Sequence, residues 1–397
     1  MREITGILEM WDGDNGRLRL LDKTLLSSPR DPVVSAAIIQ RLSLRPGVEL
    51  QVSLGPTVGN NGQGQKRGKG KKKKNRRKSN PVDAKAQHVS QVFKVDGLEP
   101  EAYAERPRYE DLTTVDPAPR LTLEYPGCPP ACRLIDLFCP IGFGTRGMIV
   151  SPPKAGKTTL LQNIALSANK NHPNLKVFAL LIDERPEEVT DFRRNVPCHV
   201  LASSNDHDVE RHVGLAMLAI ERAKRMAESG RDVMIVLDSL TRVGRAFNTA
   251  PGLVNTGRTL TGGVDSGALA IPKQLFGAAR RFEEGGSLTI LATALVDTGS
   301  RGDQVIFEEF KGTGNMELIL DRKVADKRIF PAMDLAASGT RKEQLLMSDH
   351  ELQTMTALRR RLFNMKPDQQ VEQLLKALER FKTNAELVGS PPSPAQA

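Results

Sequence analysis

Ser151-Pro152-Pro153-Lys154-Ala155-Gly156-Lys157-Thr158 follows the apolar run Met148-Ile149-Val150. It precedes a stretch in which Leu160, Leu161, Ile164 and Ala165 recur at helical spacing. In such a strand–loop–helix setting, loop N–H groups and the helix N-terminus wrap an oxyanion. The phosphate-binding pattern G-x-x-x-x-G-K-[ST] then uses its lysine on the β- and γ-phosphates and its hydroxyl on Mg²⁺. Lys157 and Thr158 occupy those two positions, while Ser151 stands where the pattern opens with glycine. Met234-Ile235-Val236-Leu237-Asp238 is an apolar run ending in an acid, suited to hold Mg²⁺ directly or through water. Leu180-Leu181-Ile182-Asp183-Glu184-Arg185 ends with two acids. Glu184 is placed to orient or deprotonate an attacking water, or else to pair with Arg185 at the surface. Taken together, these groups imply a nucleotide site with Mg²⁺.

Two loops rich in small residues follow. Residues 255–265 contain Arg258, Thr259, Thr261, Gly262 and Gly263, and residues 297–302 contain Arg301. Small residues let backbone approach a ligand closely, and one arginine in each loop suits a phosphate backbone. Simple connectors fit the same pattern equally well. Ser338-Gly339-Thr340-Arg341-Lys342 presents an arginine after a small-residue turn, as a finger donated by a neighbouring subunit would.

Such residues need elements that bring strand ends to one edge. Apolar runs predict strands at 147–151, 176–183, 198–203, 233–239, 288–295 and 316–320, and helical periodicity marks 157–170, 208–228 and 272–282. This alternation predicts an α/β domain over 132–388, a parallel sheet whose carboxyl edge receives the ligand. Residues 349–363 and 369–381 read as two amphipathic helices capping it. The Pro/Ser-rich stretch 389–397 reads as a disordered tail. Residues 1–98 differ: short apolar stretches alternate with Asp12-Gly13, Asn15-Gly16 and Pro46-Gly47 turn signals, which suggests a small β-barrel of the oligonucleotide-binding (OB) type. The Pro-rich stretch 99–131 reads as a connector.

The 397-residue chain carries a net charge of +10, and its location matters more than its size. Residues 57–85 hold eleven Lys/Arg, Lys71, Lys72, Lys73 and Lys74 among them, against the single acid Asp83, so this insertion accounts for the whole excess. Low complexity and self-repulsion predict disorder there. The insertion either captures nucleic acid electrostatically or is a solvated linker. No apolar run approaches the about 20 residues needed to cross a bilayer, and the N-terminus lacks the apolar core of a signal peptide, so a cytoplasmic protein without a membrane partner is expected. Four cysteines without a paired C-x-x-C favour reduced thiols over a metal site.

Denser strings lie between residues 140 and 360: Pro-Pro-Lys-Ala-Gly-Lys-Thr, Ile-Asp-Glu-Arg-Pro-Glu-Glu-Val-Thr, Thr-Gly-Gly-Val-Asp, Phe-Gly-Ala-Ala-Arg and Ser-Gly-Thr-Arg-Lys-Glu. With these the chain resembles the transcription termination factor Rho family of hexameric, RNA-dependent ATPases. The resemblance implies a RecA-like P-loop core and a homohexamer that acts on single-stranded RNA and the RNA polymerase elongation complex. It also implies residue roles. Gly142, Phe143, Gly144, Thr145, Arg146 and Gly147 would line the nucleotide, as would Lys154, Ala155, Gly156, Lys157, Thr158 and Thr159. Arg185 would touch it and Phe330 would stack on adenine. Glu184 and Asp238 would be the catalytic glutamate and the strand-end acid, with Arg341 as a finger in trans and Arg328 assisting. Residues 255–265 and 297–301 would track RNA in a central pore, and Lys311 would couple the nucleotide site to the subunit interface.

Departures from the family pattern concentrate near the N-terminus. Asp14-Asn15-Gly16-Arg17-Leu18-Arg19 stands where the family has an aromatic Gly-Phe-Gly-Phe-Leu-Arg strand, and Leu25 where a tyrosine is usual. RNA capture through Arg17, Arg19 and the lysine-rich insertion, led by phosphate contacts, is therefore expected. Thr159 replaces a common methionine beside adenine. Two rivals remain: an RNA-binding polymerase modulator that uses ATP only as a conformational ligand, and a rotary or secretion ATPase of the same core.

Overall fold

The computed structural model describes residues 3–11, 14–20, 25–55, 87–253 and 258–389, and divides into two compact units, Met1–Arg106 and Pro107–Ala397. The basic insertion, Lys71 to Lys74 included, lies outside the described residues, as do 254–257 and the tail beyond Gly389.

The first unit contains β1 (Glu3–Met10), β2 (Gly16–Leu20), β3 (Val33–Val34), α1 (Ala36–Arg41), β4 (Glu49–Leu54), β5 (Val89–Val95) and α2 (Pro100–Ala104). Its strands pair in the order β3-β2-β1-β4-β5, all antiparallel. A parallel bridge between Val33 and His88 joins the two ends of that order, so the sheet curls into a small barrel of the expected kind. Alternation decides its inside: Leu8, Leu18, Val34, Leu50, Val52 and Val95 are buried together, with Tyr103 of α2 closing the core.

The second unit opens with β6 (Thr114–Val115), α3 (Pro130–Phe138), β7 (Arg146–Ser151), α4 (Lys157–Asn171), β8 (Lys176–Glu184), α5 (Pro186–Asn195) and β9 (His199–Ser204). It continues with α6 (Val209–Glu228), β10 (Asp232–Asp238), α7 (Leu240–Thr249), α8 (Ala270–Gly277), β11 (Arg280–Phe282), β12 (Ser287–Leu295) and α9 (Arg301–Phe310). Last come β13 (Met316–Leu320), α10 (Arg322–Asp326), β14 (Met333–Thr340), α11 (Asp349–Leu362), α12 (Pro367–Arg380) and α13 (Asn384–Val388). The main sheet runs β14-β13-β7-β12-β10-β8-β9, parallel except for β14. Met148, Ile149, Ile235, Val236, Ile290 and Leu291 are all buried, as strands covered on both faces require. The α/β P-loop class expected from the alternation is the class observed.

Two local expectations are corrected, and one strand is new. The helix expected over 272–282 ends at Gly277, and Arg280–Phe282 forms β11, pairing with β12 and β6. β14 went unpredicted because Met333–Thr340 is an edge strand with few apolar residues. The expected connector 99–131 belongs to both cores. Tyr103 is buried in the first unit, and Tyr109, Leu121 and Leu123 are buried in the second. All four cysteines are free thiols, and no described helix is long and apolar enough to cross a membrane.

Candidate nucleotide site and nucleic-acid loops

β7 emerges from the core at Ser151, and the chain turns through Lys154 (φ 64°) and Gly156 (φ 86°) before α4 begins. Gly156 is favoured by its left-handed φ, and a Cβ there would rest in ordinary contact with the Phe330 ring at 3.4 Å. No side chain caps α4, so its first N–H groups face the loop and can receive an anion. Ser151, by contrast, ends a regular strand outside the left-handed region, which explains why this position tolerates a side chain.

Parallel register brings the carboxyl ends of β8, β10 and β12 to the same edge. β12 separates β7 from β10, and its Thr293 hydroxyl donates to Asp238 Oδ1 at 2.9 Å. Lys157 Nζ pairs with Asp238 and lies 3.8 Å from Glu184 Oε2. Arg242, in the first turn of α7, donates to Glu184 Oε1 at 3.0 Å. The second oxygens, Asp238 Oδ2 and Glu184 Oε2, are buried without a hydrogen-bond partner. Orphaned carboxylate oxygens are costly unless a cation or water meets them. The Thr158 hydroxyl donates to Glu188 Oε2 at 3.2 Å, so a hydroxyl and acids border the phosphate loop, a donor set that fits Mg²⁺ with its retained waters. Burial, and secondarily the Asp238 charge, raises the Glu184 pKa above the usual carboxylate value; Lys157 and Arg242 oppose that rise.

Beside the loop lies a cavity of about 540 Å³, lined by Lys154, Gly156, Thr159, Leu160, Asn163 and, across from them, Phe330. Its size and apolar walls suit a nucleobase. Phe330 is 46% exposed, its ring free to be covered by a flat ligand.

Not all of the expected nucleotide residues gather here. Gly142, Phe143, Gly144, Thr145, Arg146 and Gly147 stand at the opposite end of β7. At about 3.3 Å per residue, Arg146 is roughly 16 Å from Ser151. They form a turn instead: Gly142 N–H donates to the Thr145 hydroxyl at 2.9 Å, and Gly144 N–H to the Thr289 hydroxyl at 2.9 Å. Arg341 follows β14 at that same far edge, since Met316 pairs with both Thr340 and Gly147. Arg328 is exposed, two residues from Phe330, and Arg185 is exposed at the start of α5. Lys311 caps the end of α9, about 4.0 Å from Glu308.

The two small-residue loops do meet. Thr259 bridges to Asp265, which leaves Thr261, Gly262 and Gly263 at an exposed tip, with Arg258 exposed beside it. A Cβ on Gly262 would stand 2.7 Å from the Arg301 carbonyl carbon, so this loop rests on the start of α9. Sequence reasoning missed how they are held. Arg245 makes a bidentate pair with buried Asp303 at 2.7 and 2.6 Å, and Thr298 donates to the same carboxylate at 2.7 Å. Asn248 donates to the Gly263 carbonyl at 3.1 Å and accepts from Asp265 N–H at 2.8 Å. Arg242, Arg245 and Asn248 recur every three residues on α7 just after Asp238; that spacing was the available signal. Glu188 was missed as well, although it lies within a string noted for its density.

At the N-terminal unit the expectation for Arg17 and Arg19 is corrected. Arg19 is 3% exposed and paired with both Glu9 and Asp31, so its charge is neutralised on the face of β2 opposite Leu18. Arg17 is buried too, its guanidinium 3.8 Å from the centroid of Trp11. Trp11 itself is 45% exposed.

Residues 131–340 match the ATP synthase alpha/beta family, nucleotide-binding domain. The chain is 47% identical to transcription termination factor Rho of Cereibacter sphaeroides over 389 residues, 97% of this chain and 86% of that protein. It is 46% identical to transcription termination factor Rho of Streptomyces coelicolor, over 96% of this chain and 84% of the relative. Among solved structures, an ATPase from the type III secretion system of pathogenic bacteria superposes with a TM-score of 0.54 at 23% identity, covering 64% of this chain and 72% of that one. That likeness concerns the fold alone.

Proposed function

The chain belongs to the transcription termination factor Rho family, and from that premise we propose that it is an ATP-driven RNA translocase. In this reading it works as a homohexamer and releases transcripts from RNA polymerase. The observation that carries the proposal is Lys157 set between Asp238 and Glu184, two buried acids that each keep an oxygen without a hydrogen bond.

In this reading Lys157 and the α4 N-terminus hold the β- and γ-phosphates, while Phe330 and Thr159 flank the base. The Thr158 hydroxyl and Asp238 would hold Mg²⁺, which when bound would supply positive charge against the transferred phosphoryl group. Glu184 orients the attacking water and accepts its proton; its raised pKa makes it a stronger base than an ordinary carboxylate. Arg242 fixes the Glu184 carboxylate so that one oxygen remains for the water. Arg258 and Arg301, on touching loops, offer charge to an RNA backbone. The union of a water-activating glutamate with a strand-end acid favours turnover over a purely conformational use of ATP.

Measuring ATP turnover with and without RNA tests the reading. Wild-type protein should be stimulated by RNA, and Lys157→Ala should lose orders of magnitude in turnover while remaining folded. Near wild-type turnover in that variant would overturn the assignment.

A further inference from the structure

The phosphate loop opens with two residues that have no N–H to offer. Pro152 and Pro153 precede Lys154, so the first N–H that the loop can turn toward an anion is that of Lys154. Among the described residues the Lys154 N–H donates to no acceptor of the chain. The carbonyls of the two prolines, by contrast, are both held. The Ser151 hydroxyl donates to the Pro152 carbonyl at 3.0 Å, and Arg322 donates from Nη1 to the Pro153 carbonyl. Arg322 is itself fixed. It opens α10, its Nε donates to Asp326 Oδ1 at 2.7 Å, and Val324 and Ala325 of the same helix are buried. Asp321 caps that helix, accepting from Lys323 N–H at 2.6 Å, and its own N–H donates to the Ala332 carbonyl at 2.8 Å. α10 therefore spans from Leu320 to Phe330, two residues in the wall of the base cavity.

The Pro153 carbonyl and the Lys154 N–H belong to one trans peptide unit, and its planarity points them in opposite directions. Arg322 grips the carbonyl from the exposed side of the loop, its side chain 42% exposed, so the N–H is aimed inward. Lys154 is also left-handed at φ 64°, a conformation that a residue with a Cβ keeps only where its surroundings fix it. Oriented N–H groups in such turns make the concavity that receives a phosphate. We propose that Arg322 is a positioning residue for nucleotide binding: by holding the Pro153 carbonyl, it aims the Lys154 N–H at the phosphates. The inference rests on the nucleotide site of the reading above and concerns the phosphate half of the ligand. A purely structural Arg322 would act through α10 instead, and its loss would loosen the Phe330 wall of the base cavity. Adenosine separates the two roles, because it fills the base cavity and carries no phosphate.

The test titrates the full-length protein with adenosine and with ADP by calorimetry. Arg322→Leu should weaken ADP binding by about tenfold, the loss expected for one hydrogen bond to a charged group. Its adenosine affinity should match wild type, which also reports that the variant is folded. In steady state the KM for ATP should rise by a similar factor while kcat stays within about threefold, the mark of an interaction made equally in ground and transition states. Arg322→Lys, which keeps a donor, should recover most of the ADP affinity. Asp326→Asn, which loosens the guanidinium without removing it, should give a smaller loss in the same direction. Equal weakening of adenosine and ADP in Arg322→Leu would make the residue a support of the base wall and overturn the proposal. So would wild-type ADP affinity in that variant, or a lysine variant as weak as the leucine one. Wild-type protein that binds ADP while Arg322→Leu binds it equally well sinks this inference alone, whereas wild-type protein that binds no ADP sinks the nucleotide reading and this inference with it.

Discussion

Glu184 is 2% exposed, with one oxygen anchored by Arg242 and the other left for a ligand. Burial raises its pKa, and the Arg242 charge restrains that rise. Removing the charge should therefore raise the pKa further. In Arg242→Gln, the acid limb of the kcat–pH profile should move to higher pH than in wild type, as a stopped assay across pH 5 to 8 would reveal. A limb that stays in place or moves down would detach the limb from Glu184. Lys157, Glu184 and Asp238 were legible in the sequence because each is marked by its neighbours: a glycine loop before a helix, or an apolar strand ending in an acid. Arg19 was misread for the opposite reason. Its two acids lie ten and twelve residues away and meet it only after β2 pairs with β1 and β3, and nothing in Gly16-Arg17-Leu18-Arg19 announces that.

α7 links the acid edge to the small-residue loops. One end of the helix follows Asp238 and holds Glu184 through Arg242; further along, Arg245 holds Asp303 and Asn248 holds Gly263. A rigid helix gripping both sites can convey a shift at one to the other. Replacing Arg245 by Leu leaves buried Asp303 with the Thr298 hydroxyl and frees the start of α9. We expect Arg245→Leu to keep RNA-independent turnover and to lose most of the RNA stimulation, read as the ratio of the two rates at saturating ATP. Equal losses in both rates would confine Arg245 to the ATP site. At this scale the strands of the central sheet were legible because they are continuous apolar runs. β14 was not, because an edge strand buries only one of its faces, and β11 was not, because its three residues take their strand form from pairing with β6 and β12.

In the proposed function RNA capture belongs to the whole molecule, and two devices are candidates for it. The lysine-rich insertion offers phosphate contacts, each contributing roughly 0.7 to the log–log salt slope. Trp11, backed by Arg17, offers a stacking surface worth about 1–3 kcal/mol per base. Deleting 60–80 should flatten the slope by several units, whereas Trp11→Ala should weaken affinity at constant slope. Because Trp11 is the chain's only tryptophan, quenching of its fluorescence by RNA reports stacking directly. An unchanged slope after the deletion would make the insertion a linker; wild-type affinity in Trp11→Ala would leave the indole without a role. The deletion is a clean experiment because of how the barrel closes. Gly55 N–H donates to the His88 carbonyl at 2.9 Å, so the chain leaves β4 and returns toward β5 across a single hydrogen bond. Hairpins need only about 2–5 loop residues to make that return, and the ten left after trimming exceed it. The barrel closes at this one port, between Gly55 and His88. The same port should accept a fluorescent tag or a foreign RNA-binding peptide, allowing the capture chemistry of the protein to be exchanged without touching its motor.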